Sequence, residues 1–276
     1  MILKLRNYRF SKKNFPLVVG ILNLTPDSFS DGGLYNNEKK AMTKVARYID
    51  EGVDIIDIGA ESSRPNSKRI SFVEEKKRLF PILSKIRKEF NIPISLDTVK
   101  SQIAEIGLKE GVDIINDISG LTYDERMASI IGENKGAIII NHTSGMPEVM
   151  QSKTAYKNIF KEIKKFFNSK IRLCFENNIS KNSIVLDPGI GFGKLTNQNI
   201  KLVKNISKFH DIGFPIMYGV SNKKFLGDIL KIEDPQLRSN ASVITALFLT
   251  MQNVSMLRVH NVKDTVEMIK LWRTFK

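Results

Sequence analysis

The chain has 276 residues, 42% of them hydrophobic, which is enough for one large core. Its single cysteine, Cys174, excludes an internal disulfide and any cysteine-based zinc site, and fits a reducing compartment, the cytoplasm. The net charge of +14 is spread over helical stretches such as "EEKKRLFPILSKIRKEF", with glutamates between the lysines, so it reads as solvated helix surface and not as a nucleic-acid or membrane arm.

The N-terminal stretch "MILKLRNYRF" alternates apolar and polar residues and has no core of signal-peptide length. No apolar run approaches membrane-spanning length. From there, short β-branched runs alternate with amphipathic stretches. The expected strands are Leu17–Leu22, Ile55–Ile58, Ile94–Leu96, Ile114–Asn116, Ala137–Ile140, Ile184–Leu186, Ile216–Tyr218 and Met256–Val259. Stretches such as "AMTKVARYIDEG" and "TVKSQIAEIGLKEG" space their apolar residues three and four apart, as helices do, and Gly52 and Gly111 stand where two of them stop. Eight strand–helix units without a linker or composition shift predict one α/β domain over residues 1–276, a (β/α)8 TIM barrel. An open, doubly wound sheet is the rival, because element counts alone do not close a barrel.

The first strand runs into "NLTPDSFSDGG", Asn23 to Gly33, a long aperiodic stretch with Phe29 in the middle. A loop of that kind inside a compact domain is commonly functional. The second strand opens into "DIGAESSRPNS", where Glu61, Ser62, Ser63, Arg64 and Pro65 form another polar loop. Together the two loops are expected to cover a site.

Nearly every strand ends on a polar residue: Asn23, Asp57, Asp97, Asn116, His142, Asp187, Ser221 and His260. One aspartate after a strand is usually a helix cap. Eight polar ends in order are harder to explain that way, since the carboxyl ends of barrel strands converge on one mouth. A carboxylate accepts two parallel hydrogen bonds from an amidine-like edge, and a carboxamide offers one donor and one acceptor. Asp97, Asn116 and Asp187 on facing strands would therefore suit a flat nitrogen heterocycle.

"DPGIGFGK" adds Gly189, Gly191 and Gly193, which permit close backbone approach, and Phe192, which can stack on a ring. It lacks the spacing of a Walker A loop. "YGVSNKKFLG" sets Lys223 after the seventh strand, and "LRVHN" sets Arg258 and His260 on one face of the eighth, a plausible anion site. His210 is expected on the surface.

These stretches, with "SLDTVK" and "IINDISG", resemble the dihydropteroate synthase family in order and over almost the whole chain. The resemblance implies a TIM barrel, a homodimer and a transferase of folate synthesis. The implied reaction joins 6-hydroxymethyl-7,8-dihydropterin diphosphate to p-aminobenzoate and releases pyrophosphate. It further implies a pterin pocket of Asp97, Asn116, Asp187 and Lys223 walled by Ile118 and Phe192. The implied diphosphate site is Asn23, Arg64, Arg258 and His260, with Mg2+ bridging Asn23 and phosphate. The p-aminobenzoate site would use Phe29, Ser63, Arg64, Pro65, Ser221 and Lys223. Of these, Asp97, Asp187, Lys223, Arg258 and His260 would carry the catalysis. Against the family's usual pattern the chain has Asn222 for Arg, Ser63 for Thr, Asn141 for an apolar residue and Asn261 for Asp. Two alternatives remain: a pterin-binding methyltransferase domain, which should lack "TPDSFSDGG" and the Arg258/His260 pair, and a non-catalytic paralogue.

Overall fold

A computed structural model describes residues 1–25, 34–62 and 67–276, with only the backbone described for 34–37. The chain opens with an antiparallel hairpin, β1 (Ile2–Leu5) and β2 (Tyr8–Ser11). Eight parallel strands follow: β3 (Leu17–Asn23), β4 (Ile55–Gly59), β5 (Ile94–Asp97), β6 (Ile114–Asp117), β7 (Ala137–Asn141), β8 (Ile184–Asp187), β9 (Met217–Tyr218) and β10 (Met256–Val259). The connecting helices are α1 (Leu34–Asp50), α2 (Phe72–Glu89), α3 (Ser101–Lys109), α4 (Met127–Glu133), α5 (Ile159–Glu176) and α6 (Thr196–Lys204). After β9 come α7 (Lys224–Leu230) and α8 (Ser239–Met251), and α9 (Val262–Phe275) ends the chain.

The strands hydrogen-bond in the order β8-β7-β6-β5-β4-β3-β10-β9. Leu186 of β8 bridges to Ile216 just before β9, and its N–H donates to Pro215 O at 2.9 Å. That bridge joins the two ends of the sheet, so the barrel is closed and the doubly wound alternative falls. β9 is the weakest stave, two residues long where a three-residue strand is expected, because Ile216 pairs only as an isolated bridge.

Strand periodicity divides the apolar residues into two cores. Val18, Leu22, Ile56 and Ile58 face outward and pack under the helices, while Leu17, Val19, Ile55, Ile114, Ile139, Val185 and Met256 fill the barrel interior. Leu3 and Leu5 of the hairpin join the interior set and seal the bottom of the barrel. The hairpin is tied there by Ser183 Oγ to Lys4 O (3.0 Å), by Tyr8 Oη to Asn91 Oδ1 (2.7 Å) and by Arg6 to Leu108 O.

Cys174 is fully buried in α5, and burial pushes its thiol up to about 12, consistent with a packing residue. His210 departs from the surface expectation. It is half-buried, and its Nε2 lies out of water with no hydrogen-bond partner among the described residues. No helix of the described residues is long and apolar enough to cross a membrane.

Candidate active site

Strand register aligns the polar ends. Asp97 of β5 pairs with Gly59 of β4 on one side and Asn116 of β6 on the other, and Asn141 of β7 pairs with Asp187 of β8. Asp57 lies two residues before Gly59 and is completely buried, whereas Asp97 retains 8% of its surface. Arg258 springs from β10 opposite Val19 and reaches along the interior to both carboxylates. Its Nε donates to Asp57 Oδ2 at 2.6 Å, and its Nη2, which lies 2.6 Å from the same oxygen, donates to Asp97 Oδ2 at 2.8 Å. Nη1 has no partner among the described residues. Asn116 Nδ2 donates to both oxygens of Asp57, weakly, at 3.4 and 3.5 Å. The expected anion-binding arginine therefore lies in the mouth, but two of its nitrogens are held by carboxylates.

On the other side of the mouth, Asp187 Oδ1 accepts from Gly189 N at 2.7 Å. Gly189 has φ +71°, and a Cβ there would stand 1.9 Å from His142 O, so only glycine fits this turn. Phe192 is nearly buried, and Lys223 Nζ sits 4.3 Å from its ring centroid, a cation–π contact. Ile118 is half-buried and its carbonyl accepts from Asn141 Nδ2 at 3.1 Å. Asp97, Asn116, Asp187, Lys223, Phe192 and Arg258 are thus brought to one mouth.

The titrations follow from burial. Desolvation raises Asp97 to about 7, with Asp57 reinforcing the shift and Arg258 opposing it. Desolvation likewise raises Asp187 to about 6 against the Gly189 N–H and Lys223. Lys223 falls to about 8, chiefly through burial and then through Arg258, while Asp187 and Asp97 restrain it. Burial also opposes the Arg258 charge, but Asp57 and Asp97 outweigh it and hold its pKa up.

At the rim, Ser221 Oγ lies 3.1 Å from His260 Nδ1 and accepts from His260 N at 3.2 Å. Tyr48 Oη donates to His260 O at 2.9 Å. His260 is exposed, whereas Arg258, two residues earlier on β10, is half-buried. Asn23 ends β3 beside Gly59 and is half-buried. Phe29, Ser63, Arg64 and Pro65 lie outside the described residues. The described residues on either side of the last three are hydrogen-bonded. Glu61 Oε2 accepts from Lys100 Nζ (2.6 Å) and from Ile70 N (3.1 Å), and Ser67 Oγ donates to Ser62 O (2.6 Å).

Sequence reasoning passed over two buried charges. Asp57 was visible as a strand end but not as the partner of Arg258. Lys194, only 4% exposed, ends the glycine-rich turn and has no carboxylate partner within hydrogen-bond reach among the described residues. Its Nζ lies 2.9 Å from Gly189 O, 2.9 Å from Phe192 O, 3.1 Å from His142 O and 3.0 Å from His142 Nδ1. Burial lowers Lys194 to about 7, while Asp187 works against that shift. Burial, joined by the Lys194 charge, lowers His142 to about 2, so the ring is neutral and its Nδ1 accepts. Lys194 knots the turn under Phe192.

Three of the sequence departures have structural explanations. Asn222 takes φ +58°, which asparagine tolerates better than most residues, and its amide and carboxamide both engage Ser242 Oγ. Asn261 caps α9 by accepting from Asp264 N at 3.2 Å, a role open to Asp and Asn alike. Asn141 is buried and satisfied by the Ile118 carbonyl.

Residues 19–260 match the pattern of the pterin binding enzymes. A dihydropteroate synthase from Synechocystis is 38% identical over 260 residues, covering 93% of this chain and 90% of its own length. The Clostridium difficile dihydropteroate synthase, solved in the presence of pteroic acid, superposes with a TM-score of 0.88 at 38% identity, covering 94% of this chain and 96% of its own. The Yersinia pestis dihydropteroate synthase, solved with a sulfonamide drug, superposes with a TM-score of 0.93 at 34% identity, covering 100% and 99%. With its barrel, its ordered strand ends and these relatives, the chain belongs to the dihydropteroate synthase family of pterin-binding enzymes.

Proposed function

We propose that this barrel joins a 6-hydroxymethyl-7,8-dihydropterin diphosphate to p-aminobenzoate, giving 7,8-dihydropteroate and pyrophosphate. The observation that carries the reading is the convergence of Asp97, Asn116 and Asp187 on one mouth with Arg258 and Lys223. The carboxylates and the carboxamide match the donor–acceptor edge of a pterin, and Lys223 reaches its carbonyl side across the Phe192 ring. Ile118 and Phe192 wall the ring.

The C–O bond to the diphosphate breaks first, and its electron pair leaves with the phosphate. Arg258, through its Nη1 edge, and His260 at the rim hold that growing charge. Asp97 and Asp187, ionised beside the ring, stabilise the pterin cation left behind. The neutral amine of p-aminobenzoate then attacks the exocyclic carbon, and the proton of the new ammonium centre passes to the released pyrophosphate or to water. Ser221 and Lys223 stand on the side from which the second substrate arrives, with Phe29, Ser63, Arg64 and Pro65 as its further contacts. Sulfonamides, one of which is bound in the Yersinia pestis relative, would compete for this second position.

Mg2+ fits the donor set in one way only. Among the described residues no group of three acidic, histidine or cysteine side chains is placed to hold a metal. The Asn23 carboxamide oxygen suits a cation that takes its other oxygens from diphosphate and water. Bound there, Mg2+ would neutralise the leaving phosphate.

A homodimer is supported by α8. Ile244, Phe248 and Met251 lie on one stripe and are 68%, 44% and 64% exposed, a large apolar face for a monomer. Sedimentation should give a dimer, and Ile244→Asp should give a monomer. A cytoplasmic location fits the single, unpaired cysteine.

The test of function mixes purified protein with the pterin diphosphate, p-aminobenzoate and Mg2+ and follows pyrophosphate. Steady release dependent on both organic substrates is expected. Release of none would leave a pterin-binding paralogue.

A further inference from the structure

Arg258 has two carboxylate partners of different standing. Asp97 sits at the mouth, and its edge is the one a pterin ring would take. Asp57 is fully buried beneath it, two residues before the register partner of Asp97, and no ring in the mouth would reach it. Asp57 takes the Nε of Arg258 at 2.6 Å, and Asn116 closes over its other side. We propose that Asp57 is a positioning residue that holds Arg258 from below, so that Asp97 can leave the guanidinium for the substrate without unseating it. The proposal deepens the functional reading above and rests on it.

The physical need is plain. A buried guanidinium that lost its only carboxylate to a ligand would be an uncompensated charge, and it would either hold the ligand's partner back or turn away. A second, permanent carboxylate removes that conflict. It also leaves Nη1 unclaimed by either carboxylate and open to a phosphate oxygen. Without Asp57 the guanidinium would fall wholly to Asp97 and compete with the ring for it.

The charged groups facing Asp97 are Arg258 from β10, Asp57 from β4, Glu75 from α2, Asp117 from β6 and Lys223 after β9. Asp57 raises the Asp97 pKa, so its neutralisation should move the acid limb of pterin binding to lower pH. A residue that served only to stabilise the fold would not shift that limb.

The test uses the full chain with 15N-labelled arginine and a diphosphate-free hydroxymethylpterin as probe. In the native protein the Arg258 Nε–H resonance should exchange slowly and persist when the pterin binds. Asp97→Asn should keep that resonance. Asp57→Asn should lose it, weaken pterin binding about tenfold or more, shift the acid limb downward and lower kcat. Loss of the resonance in Asp97→Asn, or on pterin binding, would overturn the proposal, as would Asp57→Asn with native turnover and an unmoved limb. If Asp57→Asn does not fold, the other two arms decide. Native protein that releases no pyrophosphate would defeat the functional reading, while the Nε–H arms would still judge the role of Asp57.

Discussion

The two ends of the same eight strands are built on opposite terms. At the bottom, Leu5, Leu17, Ile55, Ile114, Val185 and Met256 are all fully buried and wholly apolar. Toward the mouth, the strands present Asp57, Asp97, Asn116, Asp187 and Arg258, which are also mostly buried but polar or charged. The bottom gains stability from every atom it removes from water. Each charge at the mouth costs desolvation and is tolerated through a partner. One end therefore carries the fold and the other the chemistry, and substitutions should separate them.

The largest effect is expected at the bottom. Leu5→Ala should cost about 2–5 kcal/mol of stability by opening a cavity in the seal, with turnover per folded molecule unchanged. A chemical melt and an active-site titration check it, and a fall in specific turnover would show that the ends are not independent. At the mouth, Asp97→Asn should weaken pterin binding by roughly 2–4 kcal/mol through a lost charge-assisted bond and a misplaced donor. Calorimetry with a pterin analogue measures it. Arg258→Ala should slow turnover about a hundredfold or more, since its Nη1 edge meets charge that grows in the transition state. Its melting temperature is compared directly with that of Leu5→Ala, and a destabilised Arg258→Ala with normal kcat would return this arginine to a structural role.

The mildest probe is pH, and it should push the two properties in opposite directions. Asp97 and Asp187 titrate near 7 and 6 in the folded chain, above the ordinary carboxylate value near 3.8. The folded state thus binds these protons more tightly than the unfolded one. Lowering the pH from about 7 toward 3.8 should ease the burden these two groups place on stability, beginning as each folded carboxylate takes its proton. The same protonation removes the acceptors a pterin needs, so its affinity should fall over that window. Affinity and melting temperature that move together would contradict the assignment of these two titrations.

Much of this architecture was legible in the sequence, for identifiable reasons. β-branched runs such as Ile55–Ile58 mark parallel strands because both faces are buried, and their polar terminators mark the mouth. Barrel closure was not legible, because it depends on the single bridge from Leu186 to Ile216. The hairpin at the start was visible only as an alternation, with nothing in it to say that Leu3 and Leu5 belong to the barrel interior. Lys194 was hidden for another reason. A lysine after glycines reads as solvent-exposed, and only the fold reveals the backbone oxygens gathered around it. The spacing of Arg258 along β10 marks it as inward-facing, as its bonds to Asp57 and Asp97 bear out, but spacing along one strand cannot name a partner on β4.

The hairpin that seals the bottom also settles where the chain ends lie. Met1 approaches Ser255 just before β10, and Arg273 near the other terminus donates to Asn14 O just before β3. Both ends therefore emerge on the face opposite the mouth. A second catalytic module, an affinity handle or a surface tether joined at either end would stand a full barrel height from the chemistry. Such attachments should leave substrate traffic untouched, which makes this barrel a natural component for fusion and immobilisation.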